Sequence, residues 1–173
     1  MKKVLVLLPL AILLSCSLNT KNTTLTKEQI ERKFDLDKEI TIEEANETVL
    51  GPLDKDGIRI DIKRKIVFAA PTDSIEDVKT RNVYERFAQI WTEMIYNQDN
   101  RDKLLELDYE RAVINACVYN GYVREPKELK SFYIEFINGS MEKAIVYDKI
   151  HEQLDVYHGR IPEEVYKTKC DSL

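Results

Sequence analysis

The chain has 173 residues, with 26 Lys and Arg set against 31 Asp and Glu for a formal net charge of −5. That length suits one compact domain with a single core, and the acidic balance disfavours nucleic acid and bare anionic lipid as partners. Charged residues make up 33% of the chain but are mixed in sign along it, which describes a solvated surface rather than a disordered acidic tail.

The first element is the apolar run from Val4 to Leu14. It is far shorter than the roughly 20 helical residues needed to cross a bilayer, and Pro9 sits inside it. Lys2 and Lys3 ahead of it and the small Ser15 behind it make the segment a secretory signal. Leu13, Leu14, Ser15 and Cys16 resemble the lipobox of bacterial lipoproteins. The resemblance is confined to the start of the chain, residues 1–16. It implies that residues 1–15 are removed as a signal peptide and that Cys16 becomes a lipidated N-terminus. A cysteine carrying two or three acyl chains is stably attached to a membrane. By the same resemblance, Ser17 where Asp would favour inner-membrane retention points to the outer membrane in a host with two membranes. An ordinary cleaved signal with an incidental cysteine is the plainer alternative.

Residues 16–26 are polar, rich in Asn and Thr and without apolar periodicity, and read as a lipidated Cys followed by a flexible tether. Residues 27–173 read as one α-helical globular domain. Helical character begins near Thr26, and Thr41 with Glu44 three residues on is a capping-box pattern that predicts a short helix. The stretch "GIRIDIKRKIVFAAP" is ambiguous, because Ile58, Ile60 and Ile62 alternate as in a strand while Ile58, Ile62 and Ile66 fit a helical stripe. No other segment offers a strand partner, so a helix or an isolated extended piece near residues 58–68 is preferred. Lys63, Arg64 and Lys65 within it read as a solvated face, with phosphate or polysaccharide binding as the sharper alternative.

After Pro71 the patterning strengthens. Ser74 and Asp77 open a helix with Val83, Phe87, Ile90 and Met94 on one stripe, widened by Tyr84, Trp91 and Ile95. A second helix follows the break at "NQDNRD". It is read with Leu105, Tyr109, Ala112, Val113, Ala116 and Cys117 inward and Gly121 as its stop, forming an antiparallel hairpin with the first. A third helix is predicted from Pro126 to Gly139, burying Leu129, Phe132, Tyr133, Phe136 and Ile137. A fourth is predicted from Ser140 to His158, and a short final turn after Pro162 carries Val165 and Tyr166. The fold class is therefore all-α, a single domain of amphipathic helical hairpins with four to six helices.

If Cys16 carries lipid, Cys117 and Cys170 are the thiols left in an exported domain, and a disulfide is the natural pairing. Closing a loop of about 54 residues stabilises by about 4 kcal/mol in the chain-entropy model. The alternative is that Cys117 only packs, between apolar neighbours. The two histidines share the fourth helix, where Asp148, His151, Asp155 and His158 fall on one side. His151, Asp155 and His158 have spacing that would supply three ligands to zinc with an open position left over. A solvated or interface stripe is the plainer reading of the same residues.

No Gly-rich phosphate loop, GxSxG elbow, HExxH or CxxC pair occurs in the sequence. Glu106 and Glu110 could be offered as an acid–base pair, but their spacing is also that of ordinary helix surface charge. The functional expectation is a membrane-anchored envelope lipoprotein whose helical body recognises a protein partner or organises the envelope without catalysis. A metal- or small-ligand-binding lipoprotein is the second reading, and a hydrolase of envelope polymers the third.

Overall fold

The computed structural model describes residues 25–130, 141–154 and 161–173. Its helices are α1 (Lys27–Lys33), α2 (Ile42–Ala45), α3 (Ile60–Ala69), α4 (Ile75–Tyr96), α5 (Arg101–Tyr119), α6 (Met141–Gln153) and α7 (Glu163–Ser172), with a 3-10 turn over Lys127–Leu129. The chain is all-α, and the short capped α1 and α2 bring the count among the described residues to seven. No strand occurs among the described residues, where β-type pairing is limited to an isolated bridge between Leu53 and Arg59.

Both short helices start on reciprocal caps that satisfy otherwise orphaned amides. At α1, Thr26 Oγ1 accepts from the Gln29 amide at 3.3 Å while Gln29 Oε1 accepts from the Thr26 amide at 2.8 Å. At α2, Thr41 and Glu44 make the same exchange at 3.1 and 2.7 Å, as the sequence pattern predicts. The ambiguous stretch is a helix from Ile60 onward. Ile62, Ile66 and Val67 turn into the core, while the extended reading survives only just ahead of α3, where Arg59 makes the isolated bridge. With no strand ladder to join, packing against α4 decides the conformation.

The long hairpin of α4 and α5 is the centre of the fold, with α7 laid against α5 and α3 against α4. Ser74 caps α4 by accepting from the Asp77 amide, and Val83, Phe87, Ile90, Met94, Tyr84 and Trp91 are all buried, as predicted. The inner face of α5 differs from expectation. Leu104, Leu107, Ile114 and Cys117 are buried, whereas Tyr109 is 43% exposed and Leu105 only flanks the core. Val113 and Cys117 alone belong to both the predicted and the observed buried face. The physical reason is Asp108, which sits inside at 3% exposure and is satisfied by Arg111 Nε at 2.9 Å, so a polar residue interrupts the true apolar stripe. Gly121 ends α5 as predicted. Its φ of +69° lets the Tyr122 amide reach back to Cys117 O at 2.9 Å and its own amide to Val118 O at 3.0 Å.

Where the third helix is predicted, the described part is the 3-10 turn with Leu129 buried; Phe132, Tyr133, Phe136 and Ile137 lie outside the described residues. The fourth helix is α6, and Leu154 after it is buried but no longer helical. The final turn is longer than predicted, because Tyr166 and Cys170, one helical turn apart, both face inward and continue α7 to Ser172.

Side chains reaching out of α3 and α6 hold the N-terminal layer of α1 and α2. Arg64 donates to Asp37 O at 2.7 Å and pairs with Glu31, and Lys143 Nζ donates to Ala45 O and Asn46 Oδ1, each at 2.8 Å. The basic cluster is accordingly not a solvated face. Arg64 is buried, and the Lys63 side chain is 14% exposed between Asp56 and Glu85.

Candidate functional site

Of the residues singled out in the sequence, Cys16 lies outside the described residues. Cys117 and Cys170 stand at disulfide distance, with Cα atoms 6.1 Å apart, and cross-link α5 to α7. Cys117 packs as well as pairs, since both cysteines are essentially fully buried. His151 lies on α6 with its ring 4.2 Å from that of Tyr147, which in turn lies 5.8 Å from Trp91 of α4. Burial, then the nearby Arg111, pushes the His151 imidazole below its ordinary range. Asp148 points to solvent, while Asp155 and His158 lie outside the described residues. Among the described residues no three His, Cys, Asp or Glu side chains gather as a metal-ligand set.

The Glu106 and Glu110 pairing has a different use. Arg86 of α4 grips Glu110 with Nε at 3.0 Å and Nη2 at 2.6 Å, and Lys169 of α7 reaches the same carboxylate at 2.8 Å. These hydrogen bonds, with Arg86 first, hold the Glu110 carboxyl at about 2. Glu106 pairs instead with Lys103 on its own helix. Glu110 is thus an ion-paired tie between α4, α5 and α7, not half of an acid–base pair with Glu106.

A cavity of about 890 Å³ opens between α5 and the start of α7. Arg111, Asn115 and Tyr119 follow one another along α5 at every fourth residue, which sets them on one face, and Ala112 and Ala116 beside them leave the space open. Glu125 comes from the loop after α5, and Ile161 and Tyr166 form the opposite wall. Among the described residues, the side chains of Asn115, Tyr119 and Glu125 make no hydrogen bond. The Tyr166 residue is 8% exposed, yet its hydroxyl has no partner there either. Arg111 spends Nε and Nη2 on Asp108 and keeps Nη1. Elsewhere charged side chains are extensively paired, as around Glu110, Arg64 and Asp77, which accepts from Arg124 at 2.9 Å. The groove therefore presents solvent-facing donors and acceptors beside small apolar surfaces.

Sequence reasoning missed this groove. Its one legible trace is the four-residue spacing of Arg111, Asn115 and Tyr119 with two alanines beside them. Among the described residues no helix is long and apolar enough to cross a membrane. Compared with known protein families, characterised proteins and solved structures, the chain matches none.

Proposed function

We propose that the protein is a lipid-anchored lipoprotein of the bacterial envelope whose helical body is a binding module, held at the outer membrane where the host has two. The observation that carries this reading is the order of residues at the start of the chain: Lys2 and Lys3, the Val4–Leu14 block, then Leu13, Leu14, Ser15 and Cys16 in lipobox arrangement. Ten residues, eight of them polar, separate Cys16 from α1, so a body tethered there stays within about 35 Å of the bilayer even with the linker fully extended. Glu110, the one sequence candidate for acid–base work with cross-helix partners, is committed to Arg86 and Lys169. The cross-link at Cys117 and Cys170 suits an oxidising compartment outside the cytosol. A protein partner or another envelope component is the expected ligand.

The anchor is tested by Cys16→Ala in cells fed a clickable fatty acid. The wild-type chain is expected to label and to sediment with membranes, and the variant to lose the label and appear in the soluble envelope fraction. A variant that still labels and still sediments would remove the anchor from this proposal.

A further inference from the structure

The groove between α5 and α7 has a chemistry more specific than a general binding surface. Its lining carries charged residues of both signs, Arg111, which is also paired with Asp108, and the carboxylates Glu125 and Glu163, together with the polar Asn115 and Tyr166. A strongly charged ligand of either sign would therefore meet repulsion as well as attraction. The backbone behind these side chains belongs mostly to helices whose amides and carbonyls are already paired, so an extended peptide finds no strand edge to join. A neutral molecule with many hydroxyls fits better, because it can donate and accept at each position. Tyr119, 92% exposed, adds an aromatic face on which the C–H side of a sugar ring can lie, with Ala112 and Ala116 as flat neighbours. The volume, about 890 Å³, falls in the range of roughly 300–1,000 Å³ usual for small-ligand sites.

We infer that the α5–α7 groove binds a neutral glycan, stacked on Tyr119 and hydrogen-bonded by Arg111, Asn115, Glu125 and Tyr166. The groove's chemistry stands apart from the lipid anchor; the envelope reading contributes only the expectation that glycans lie within reach. The Cys117–Cys170 cross-link holds the two walls in register, one on α5 and the other on α7.

The test uses the full chain, purified in detergent and fluorescently labelled, on an array of neutral oligosaccharides that includes N-acetylglucosamine, glucose, mannose and galactose polymers, beside an array of peptides. A subset of the glycans is expected to be retained, and titration of the strongest of them should be saturable. Tyr119→Ala and Asn115→Leu, both at exposed positions, should each weaken that binding about tenfold or more, whereas Tyr119→Phe should keep it. Thermal unfolding of all three variants should match wild type. Cys16→Ala protein should bind the same glycan equally well, so loss of the anchor and loss of the groove's function read out separately. Retention of no glycan, glycan binding unchanged by both Tyr119→Ala and Asn115→Leu, or retention of peptides alone would each overturn the inference.

Discussion

From Ile58 onward most buried apolar side chains, Val67 and Ala70 excepted, join one cluster, running from Ile62 and Ile66 of α3 through the α4–α5 hairpin to Ile150 of α6 and Cys170 of α7. Between Lys27 and Gly57, by contrast, Ile30 and Ala45 are the buried hydrophobics, and neither belongs to that cluster. The body is held by burial, at roughly 25 cal/mol for each Å² of apolar surface removed from water. The α1–α2 layer is held mainly by polar reach: Arg64 onto Glu31 and Asp37, Lys143 onto Ala45 and Asn46, and two capping boxes. Such contacts net about 0.5–3 kcal/mol apiece, the charged ones most, and they are few, so the layer is expected to open locally before the body unfolds.

The largest expected effect breaks the body. Replacing Cys117 and Cys170 together by Ala should cost about 4 kcal/mol of unfolding free energy, since a long loop is freed in the unfolded chain. Urea unfolding of the oxidised protein, the reduced protein and the double variant measures it. Reduced wild type should fall with the variant, well below oxidised wild type. Coincident curves for the oxidised and reduced forms would mean that the two sulfurs are not joined in the folded protein.

The next effect separates the layer from the body. In Lys143→Met the carbonyl of Ala45 and the side chain of Asn46 lose a donor, and amide exchange across α2 and the turn after it should quicken about tenfold or more. Exchange in α4 and α5 should not change. A pH dependence goes with it. Burial, then nearby Arg59, holds the Lys143 amine down at about 8, below the ordinary lysine value of 10.5. Between those values the unfolded chain binds the extra proton, so stability rises with pH across that window, and the rise should vanish in Lys143→Met. Below pH 8 both states are protonated and the group contributes no slope. The neutral amine still carries two N–H groups for its two acceptors, so deprotonation removes the cost of a buried charge without breaking the contact. Uniformly faster exchange throughout the protein would show that layer and body unfold as one unit.

How much of this was legible in the sequence follows the same division. The α4 stripe from Val83 to Met94, the stop at Gly121 and the Thr41–Glu44 cap are local signals, and local signals survive into the fold. The inner face of α5 did not read correctly because Asp108 and Arg111 satisfy each other inside it, and pattern alone places both outside. Residues 58–68 carry isoleucines at both periods, so only the missing strand partner and contact with α4 could decide. Arg64 looks solvent-facing in the sequence because its partner Glu31 lies 33 residues earlier, a pairing that no local window contains. The cysteine pair was legible by counting thiols. The groove was not, because a cavity is made by the absence of side-chain volume at Ala112 and Ala116 and by walls from separate segments.

The smallest effect compares how one helix ends in each region. Both α1 and α5 finish with the same reach-back geometry: Leu36 N bonds to Glu31 O at 3.0 Å, as Tyr122 N does to Cys117 O at 2.9 Å. In the body the left-handed position is Gly121, at a φ of +69°; in the layer it is Asp35, at +49°. A side chain there costs about 1–2 kcal/mol, less for Asp than for bulkier residues. Glycine relieves that cost but widens the unfolded ensemble by about 0.4–1 kcal/mol. The Asp35 pair with Lys55, 3.5 Å long between well-exposed side chains, subtracts little when lost. Asp35→Gly is therefore expected to stabilise by about 0.5 kcal/mol, and Gly121→Ala to destabilise by about 1 kcal/mol. A Cβ at Gly121 meets no atom within 4 Å, so the second value reads the backbone alone. If layer and body are distinct, Asp35→Gly should slow amide exchange in α1 and leave the global urea midpoint almost unmoved, while Gly121→Ala should lower that midpoint. A midpoint shift of equal size in both variants would show that the polar contacts of Arg64 and Lys143 couple the two regions into one cooperative unit.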